Sequence, residues 1–185
     1  PAHTMRIAQR LYEGIDIGGE TVGLITYMRT DGVEIAEEAI TSVRSVLEAD
    51  YGQKYVPSAP RRYQTKRKNA QEAHEAIRPT SVAREPEHVA RYLSSDQLKL
   101  YTLVWKRFIA SQMRPAEYDT MSVEVEGRAD DHTYLLRAYA STLRLAGFLE
   151  VYEDKASGNG NGGGNGDEPA EGELVVGTLP EVEVG

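Results

Sequence analysis

The chain has 185 residues, 40% of them hydrophobic, and a formal net charge of -8, enough apolar material for one sizeable domain or two small ones. No apolar run approaches the roughly 20 residues that span a bilayer, and the start, PAHTMRIAQR, has neither a signal-peptide core nor an initiator methionine, so it reads as cut from something longer. The lack of Cys excludes disulfides and thiolate metal sites and fits a reducing, cytoplasmic compartment.

The negative charge is not spread evenly. From Glu150 onward there are nine acidic residues and one basic, Lys155, so Pro1 to Leu149 carries twenty of each sign. Within that neutral part, Lys54 to Arg91 holds nine Lys or Arg against four Glu, a local excess suited to a phosphate backbone.

In chain order, Thr4 followed by MRIAQRLYEG predicts a capped helix with Met5, Ala8, Leu11 and Tyr12 on one face, stopped at Gly14. TVGLITYM is β-branched and apolar, a short buried strand or extended segment that delivers Tyr27 to its end. Asp31 and Glu34 have capping-box spacing, and Ala36, Ile40, Val43 and Leu47 recur at helical intervals. Tyr27 and Arg29 are thereby expected just ahead of a helix N-terminus, which favours an anion. Residues 53–68, with two prolines and six basic residues, predict an irregular surface loop. NAQEAHEAIRPTS predicts a helical turn ended by Pro79. From Ser94 or Ser95, the positions Leu98, Tyr101, Val104, Trp105 and Phe108 mark a long amphipathic helix closed by Arg114-Pro115.

After Pro115 the period changes to two. Met121, Val123 and Val125 alternate with polar residues, GRADDH turns, and TYLLRAYA and TLRLAGFLEVY are further strand candidates of an antiparallel sheet. A low-complexity stretch, SGNGNGGGNGDEP, separates them from a last candidate strand in ELVVGTLPEVEV.

A tyrosine hydroxyl has a reference pKa of about 10 and attacks poorly at neutral pH unless its phenolate is stabilised. A guanidinium nearby does that, and its planar fork also holds two phosphate oxygens while a third atom attacks phosphorus. Tyr27 with Arg29 therefore suits attack on a phosphodiester, giving a phosphotyrosine ester from which the broken strand can be resealed without external energy. By spacing alone the pair is too common to identify a site, and Asp31 and Glu34 need be no more than helix caps. His74 has no second His or Cys at metal-ligand spacing; it is a surface histidine or a donor to phosphate or sugar. Lys66, Arg67 and Lys68, with Tyr55 and Tyr63 nearby, are either a solvated basic loop or a track for a single strand.

AQRLYEG, GLITYMRTD, AQEAHEAIRPT and LYTLVWKRFIASQMRPAEYD occur in this order, and from about Thr4 to Tyr152 the chain resembles the bacterial type IA DNA topoisomerases. The wording favours the topoisomerase I branch over topoisomerase III or a reverse gyrase. The resemblance implies an α+β fold, with a mostly helical tyrosine-bearing domain over 1–115. It implies a partial β-rich arch, or gate, over 116–185, carrying a flexible Gly/Asn-rich insertion at 157–169. It implies that Tyr27 cuts single-stranded DNA through a 5′-phosphotyrosine intermediate to relax negative supercoils, that Arg29 positions the scissile phosphate, and that His74 contacts the DNA nearby. Arg78, Lys66, Arg67 and Lys68 are expected to contribute to DNA binding and Asp31 to support the site. Gly32-Val33 departs from the Ser and polar residue usual in the family. No DxDxE cluster of the family's Toprim domain occurs, so magnesium is expected to be bound by that domain of the complete protein and no metal by this chain. The expected partners are single-stranded DNA, the Toprim domain and the remaining arch segments, with no membrane and a cytoplasmic, nucleoid-associated location. The chain by itself is expected to be inactive; the rival reading is a non-catalytic nucleic-acid-binding or hinge module.

Overall fold

The computed structural model describes residues 1–63 and 75–152. Lys66, Arg67, Lys68 and His74, the Gly/Asn-rich stretch and the last candidate strand lie outside the described residues. The fold is α+β and divides into two compact units: Pro1–Arg114 with Phe148–Tyr152, and a second whose described part is Pro115–Gly147.

The first unit opens with α1 (Ala2–Glu13), which starts ahead of Thr4, with Pro1 at the N-cap and no side-chain cap. Ala8 and Leu11 are buried, whereas Met5 and Tyr12 on the expected core face are exposed. After Gly14 the chain makes a small hairpin that the β-branched, apolar character of TVGLITYM does not disclose. Its strands β1 (Ile15–Asp16) and β2 (Thr21–Val22) are antiparallel, with Ile15 opposite Val22. Gly18 and Gly19 take φ of +69° and +103° in its turn, backbone that side chains resist, and Asp16 Oδ1 accepts the Gly19 N–H at 2.8 Å. Leu24, Ile25 and Met28 then enter the core in extended chain, Ile25 bridging to Pro79.

The next helix, α2 (Glu37–Val46), begins later than the Asp31–Glu34 spacing suggests. Its N-cap is Ala36, with no side-chain cap bond. Glu34 is instead taken up by tertiary pairing: it bridges Glu75 in parallel, and its carbonyl accepts the Ala76 N–H at 2.7 Å. Asp31 and Glu34 are therefore not helix caps. Ala39, Ile40, Val43 and Leu47 are buried, and the helix ends in a wider π-type turn, Leu47–Tyr51.

The basic loop is less superficial than its composition suggests. Gln53–Tyr55 forms a 3-10 turn, Tyr55 and Val56 are buried, and the Tyr55 hydroxyl donates to Glu150 at 3.2 Å. The described part of NAQEAHEAIRPTS, from Glu75, is extended and not helical, because its backbone bonds go to Glu34, Leu24 and Thr26. A four-residue helix, α3 (Pro86–Val89), with proline in its first turn, precedes α4 (Ser95–Gln112). Ser94 and Gln97 close a reciprocal capping box there. Tyr101, Trp105, Phe108 and Ile109 of α4 are buried. The polar tips of its aromatics are satisfied: Tyr101 donates to Arg84 O at 2.6 Å and Trp105 Nε1 to Val82 O at 3.0 Å.

In the second unit, β3 (Glu117–Ala129) and β4 (His132–Leu145) form one long antiparallel hairpin. Asp130, at φ 54°, turns it. TYLLRAYA and TLRL are thus parts of a single strand, and AGFLEVY leaves it: Gly147 has φ 53°, and Leu149–Tyr152 form a short helix, α5. One hairpin face aligns Met121, Val123 and Val125 with Ala140, Ala138 and Leu136, and Met121, Val125 and Leu136 are exposed.

Burial raises the Tyr101 pKa from 10.0 to about 12, with the Arg84 charge opposing in a smaller measure. The folded state thus favours the neutral phenol, a contribution to stability fully present below pH 10 and lost as pH rises from about 10 through 12. Urea midpoints measured from pH 9 to 12 should fall over this window, and Tyr101→Phe should flatten the fall.

Candidate active site around Tyr27

Extended chain between two fixed partners delivers Tyr27 to the surface. On one side, the Leu24 N–H donates to Leu11 O at the end of α1, 2.7 Å away. On the other, the segment 76–80 runs antiparallel: Thr26 N–H donates to Arg78 O at 2.9 Å and Thr80 N–H to Leu24 O at 3.0 Å. The Thr26 hydroxyl completes this zip, donating to Ala76 O at 2.8 Å and accepting the Arg78 N–H at 3.0 Å. Thr80 Oγ1 donates to Gly23 O at 2.7 Å. Every residue from Gly23 to Thr26 except Ile25 thus makes a polar contact across the chain, and Ile25 is buried.

Beyond Thr26 the environment changes within one residue. Tyr27 is 57% exposed, while Met28 is buried at 7%. The Arg29 N–H closes a three-residue turn onto Tyr27 O at 2.9 Å. Met28 therefore anchors a turn with the two functional candidates exposed on either side of it. The Tyr27 ring meets the Tyr12 ring edge-on, centroids 5.3 Å apart at 64°.

The Arg29 guanidinium bonds Asp31, Nε lying 2.8 and 2.9 Å from its two carboxylate oxygens. Both side chains are well exposed, at 50% and 34%. An exposed ion pair of this kind contributes about 0–1 kcal/mol, while a two-pronged guanidinium–phosphate contact is a stronger, charge-assisted one. Asp31 thus orients Arg29 without withholding it from a phosphate. The helix-dipole contribution expected at Tyr27 is not built as the sequence suggests: α2 starts eight residues after Arg29, and the Ala36 N–H ahead of it is occupied by Glu75 Oε1 at 3.3 Å.

Arg78, expected to bind DNA, is turned inward. Its side chain is 13% exposed, its Nε and Nη2 reach Glu75 Oε1 at 2.8 and 2.6 Å, and its Nη1 donates to Pro79 O at 2.9 Å. This guanidinium braces the segment that holds Thr26. Elsewhere in the basic stretch, Arg62 pairs with Glu37, whose carboxyl is held below its ordinary pKa by that hydrogen bond and charge. The Arg61 backbone is clamped by the buried Gln112 side chain. Among the described residues no group of three or more His, Asp or Glu stands together as a metal site.

A family model described as DNA topoisomerase matches residues 1–183. This chain belongs to the DNA topoisomerase family. It is similar to DNA topoisomerase 1 of Rickettsia bellii, 50% identical over 151 residues that make up 82% of this chain and 19% of that protein. DNA topoisomerase 1 of Xylella fastidiosa is 52% identical over 152 residues, 82% of this chain and 18% of that one. The structure of full-length topoisomerase I from Thermotoga maritima superimposes with a TM-score of 0.66 and 34% identity, covering 90% of this chain and 26% of that chain. The chain thus spans about a fifth of the length of the curated relatives it matches.

Thr26, Glu75 and Tyr12 are the site-forming residues that sequence patterning missed. In the sequence Thr26 is only one β-branched residue of an extended segment, since its partners lie 50 and 52 positions away. Thr26→Val keeps the shape and removes the hydroxyl, leaving Ala76 O and the Arg78 N–H without it. We expect a loss of about 1–3 kcal/mol in chemical denaturation and faster hydrogen exchange at the Arg78 amide. Unchanged exchange there would show that the hydroxyl does not hold the two segments together.

Proposed function

We propose that this chain carries the strand-cutting tyrosine of a type IA topoisomerase, with Tyr27 as nucleophile and Arg29 as the residue that orients the scissile phosphate. The observation that carries the reading is the juxtaposition of an exposed phenol and an exposed guanidinium across one three-residue turn, on a segment whose preceding residues are pinned on both sides.

In the proposed reaction the Tyr27 oxygen attacks phosphorus in a single strand. The P–O bond to the 3′ oxygen breaks as the bond to the tyrosine oxygen forms. The phenol gives up its proton and the leaving 3′ oxygen gains one, leaving a 5′-phosphotyrosine ester and a free 3′-hydroxyl. Reversal by that hydroxyl reseals the strand, because one phosphate ester is exchanged for another. Arg29 holds the non-bridging oxygens and lowers the cost of the phenolate. Passage of the other strand through the gap relaxes negative supercoils. Asp31 keeps Arg29 extended between turnovers, and Arg78 acts through the segment that positions Thr26. His74, Lys66, Arg67 and Lys68 are proposed to meet the DNA backbone. The β3–β4 hairpin is proposed as part of the arch that moves as a gate, and action on DNA would place the protein with the nucleoid. Magnesium is proposed to be held by the Toprim part of the complete protein and not by this chain. Among the described residues no helix is long and apolar enough to cross a membrane.

The test is covalent trapping in the full-length protein with single-stranded DNA labelled on the 3′ side of the break. Tyr27→Phe should abolish the adduct. Arg29→Ala should slow its formation by about 100-fold or more, the scale of losing one oriented charge on a reacting centre, with Arg29→Lys restoring only part because it lacks the fork. Relaxation of supercoiled DNA by Tyr27→Phe would overturn the assignment. A second expectation concerns the 185-residue chain alone: it should give no relaxation, and any single-strand binding should weaken steeply with salt. Magnesium-dependent nicking by the purified chain would contradict its dependence on the rest of the protein.

A further inference from the structure

We propose that Tyr12 is a positioning residue for Tyr27, setting the direction of the attacking phenol through its ring and not through its hydroxyl. Tyr12 sits near the end of α1 and is 41% exposed, too open for the core role that its helix face suggests. Its ring meets the Tyr27 ring edge-to-face at 5.3 Å and 64°, the geometry that aromatic quadrupoles favour.

Two backbone contacts make this placement a built feature. The Leu24 N–H donates to Leu11 O at 2.7 Å, and Gly23 passes so close to the end of α1 that a Cβ there would lie 2.6 Å from Tyr12 O. Gly23 therefore lets the chain approach the carbonyl of the residue whose ring then supports Tyr27, four positions further on. The β1–β2 hairpin is the detour that returns the chain to this point.

A phenol that is 57% exposed has little packing to select its rotamer, and a nucleophile in several rotamers spends only part of its time aimed at phosphorus. An edge-to-face pair contributes about 0.5–1.5 kcal/mol, which corresponds to roughly 2- to 13-fold in a rate limited by that orientation. The effect belongs to the chemical step, since the DNA need not touch Tyr12 for it to operate.

The inference rests on Tyr27 being the nucleophile, and the experiment separates the two. In the full-length protein, single-turnover adduct formation on a single-stranded oligonucleotide is compared for wild type, Tyr12→Phe, Tyr12→Leu and Tyr27→Phe. Oligonucleotide affinity is measured for each Tyr12 variant in the Tyr27→Phe background. Tyr12→Phe should cleave within twofold of wild type. Tyr12→Leu, which fills the helix position without a ring, should be slower by about 3- to 10-fold with affinity changed less than twofold. Equal rates for Tyr12→Leu and wild type would overturn the inference and leave Tyr27 in place. A Tyr12→Phe variant as slow as Tyr12→Leu, or a matching loss of affinity, would also overturn it, showing a hydroxyl or a DNA contact. An adduct formed by Tyr27→Phe would overturn the underlying reading instead.

Discussion

Residues Gly23 to Thr26 are held between the end of α1 and the segment 76–80, and the arrangement around Tyr27 depends on that clamp. Its backbone bonds to Leu11, Arg78 and Leu24 fix where the chain surfaces, and the Thr26 hydroxyl uses one oxygen both to donate and to accept. Without such fixation an exposed tyrosine would be an ordinary surface ring. With it, the main chain on which the phenol is mounted is as constrained as a core strand while the hydroxyl stays in water.

The clamp is itself braced. Glu75 receives both the Arg78 guanidinium and the N–H ahead of α2, so one carboxylate ties the segment to the helix that follows the tyrosine. This pair is partly buried, where losing one partner would leave the other inadequately solvated. The contrast with Arg29 and Asp31 is instructive: the same pair of charge types, but exposed, is cheap to open. Burial thus separates two arginines of similar sequence appearance into a brace and a free hand. In the same unit, α4 performs a comparable service, its Tyr101 and Trp105 tips bonding the Arg84 and Val82 carbonyls.

The second unit follows a different logic. Its hairpin buries little by itself, and a two-stranded ribbon with an exposed apolar row is not a self-sufficient core.

Several features were legible in the sequence because they are local. The capping box at Ser94 and Gln97, the aromatic stripe of α4 and the switch to period two after Pro115 each depend on residues a few positions apart, as does the adjacency of Tyr27 and Arg29; the familiar order of GLITYMRTD and AQEAHEAIRPT indicated the family. What the sequence could not decide was which local preference would lose to a distant partner. Asp31 and Glu34 have capping spacing, yet Glu34 pairs with Glu75; EAIRPT reads as a turn, yet is drawn out into extended chain by its bonds to Leu24 and Thr26. No local pattern shows that Arg78 pairs with Glu75, or that the Tyr12 ring lies against Tyr27. The amino-acid order determined the adjacency of Tyr27 and Arg29 and the helical stripes by short-range chemistry. Only tertiary structure decided what holds that pair in place, because those contacts join residues tens of positions apart.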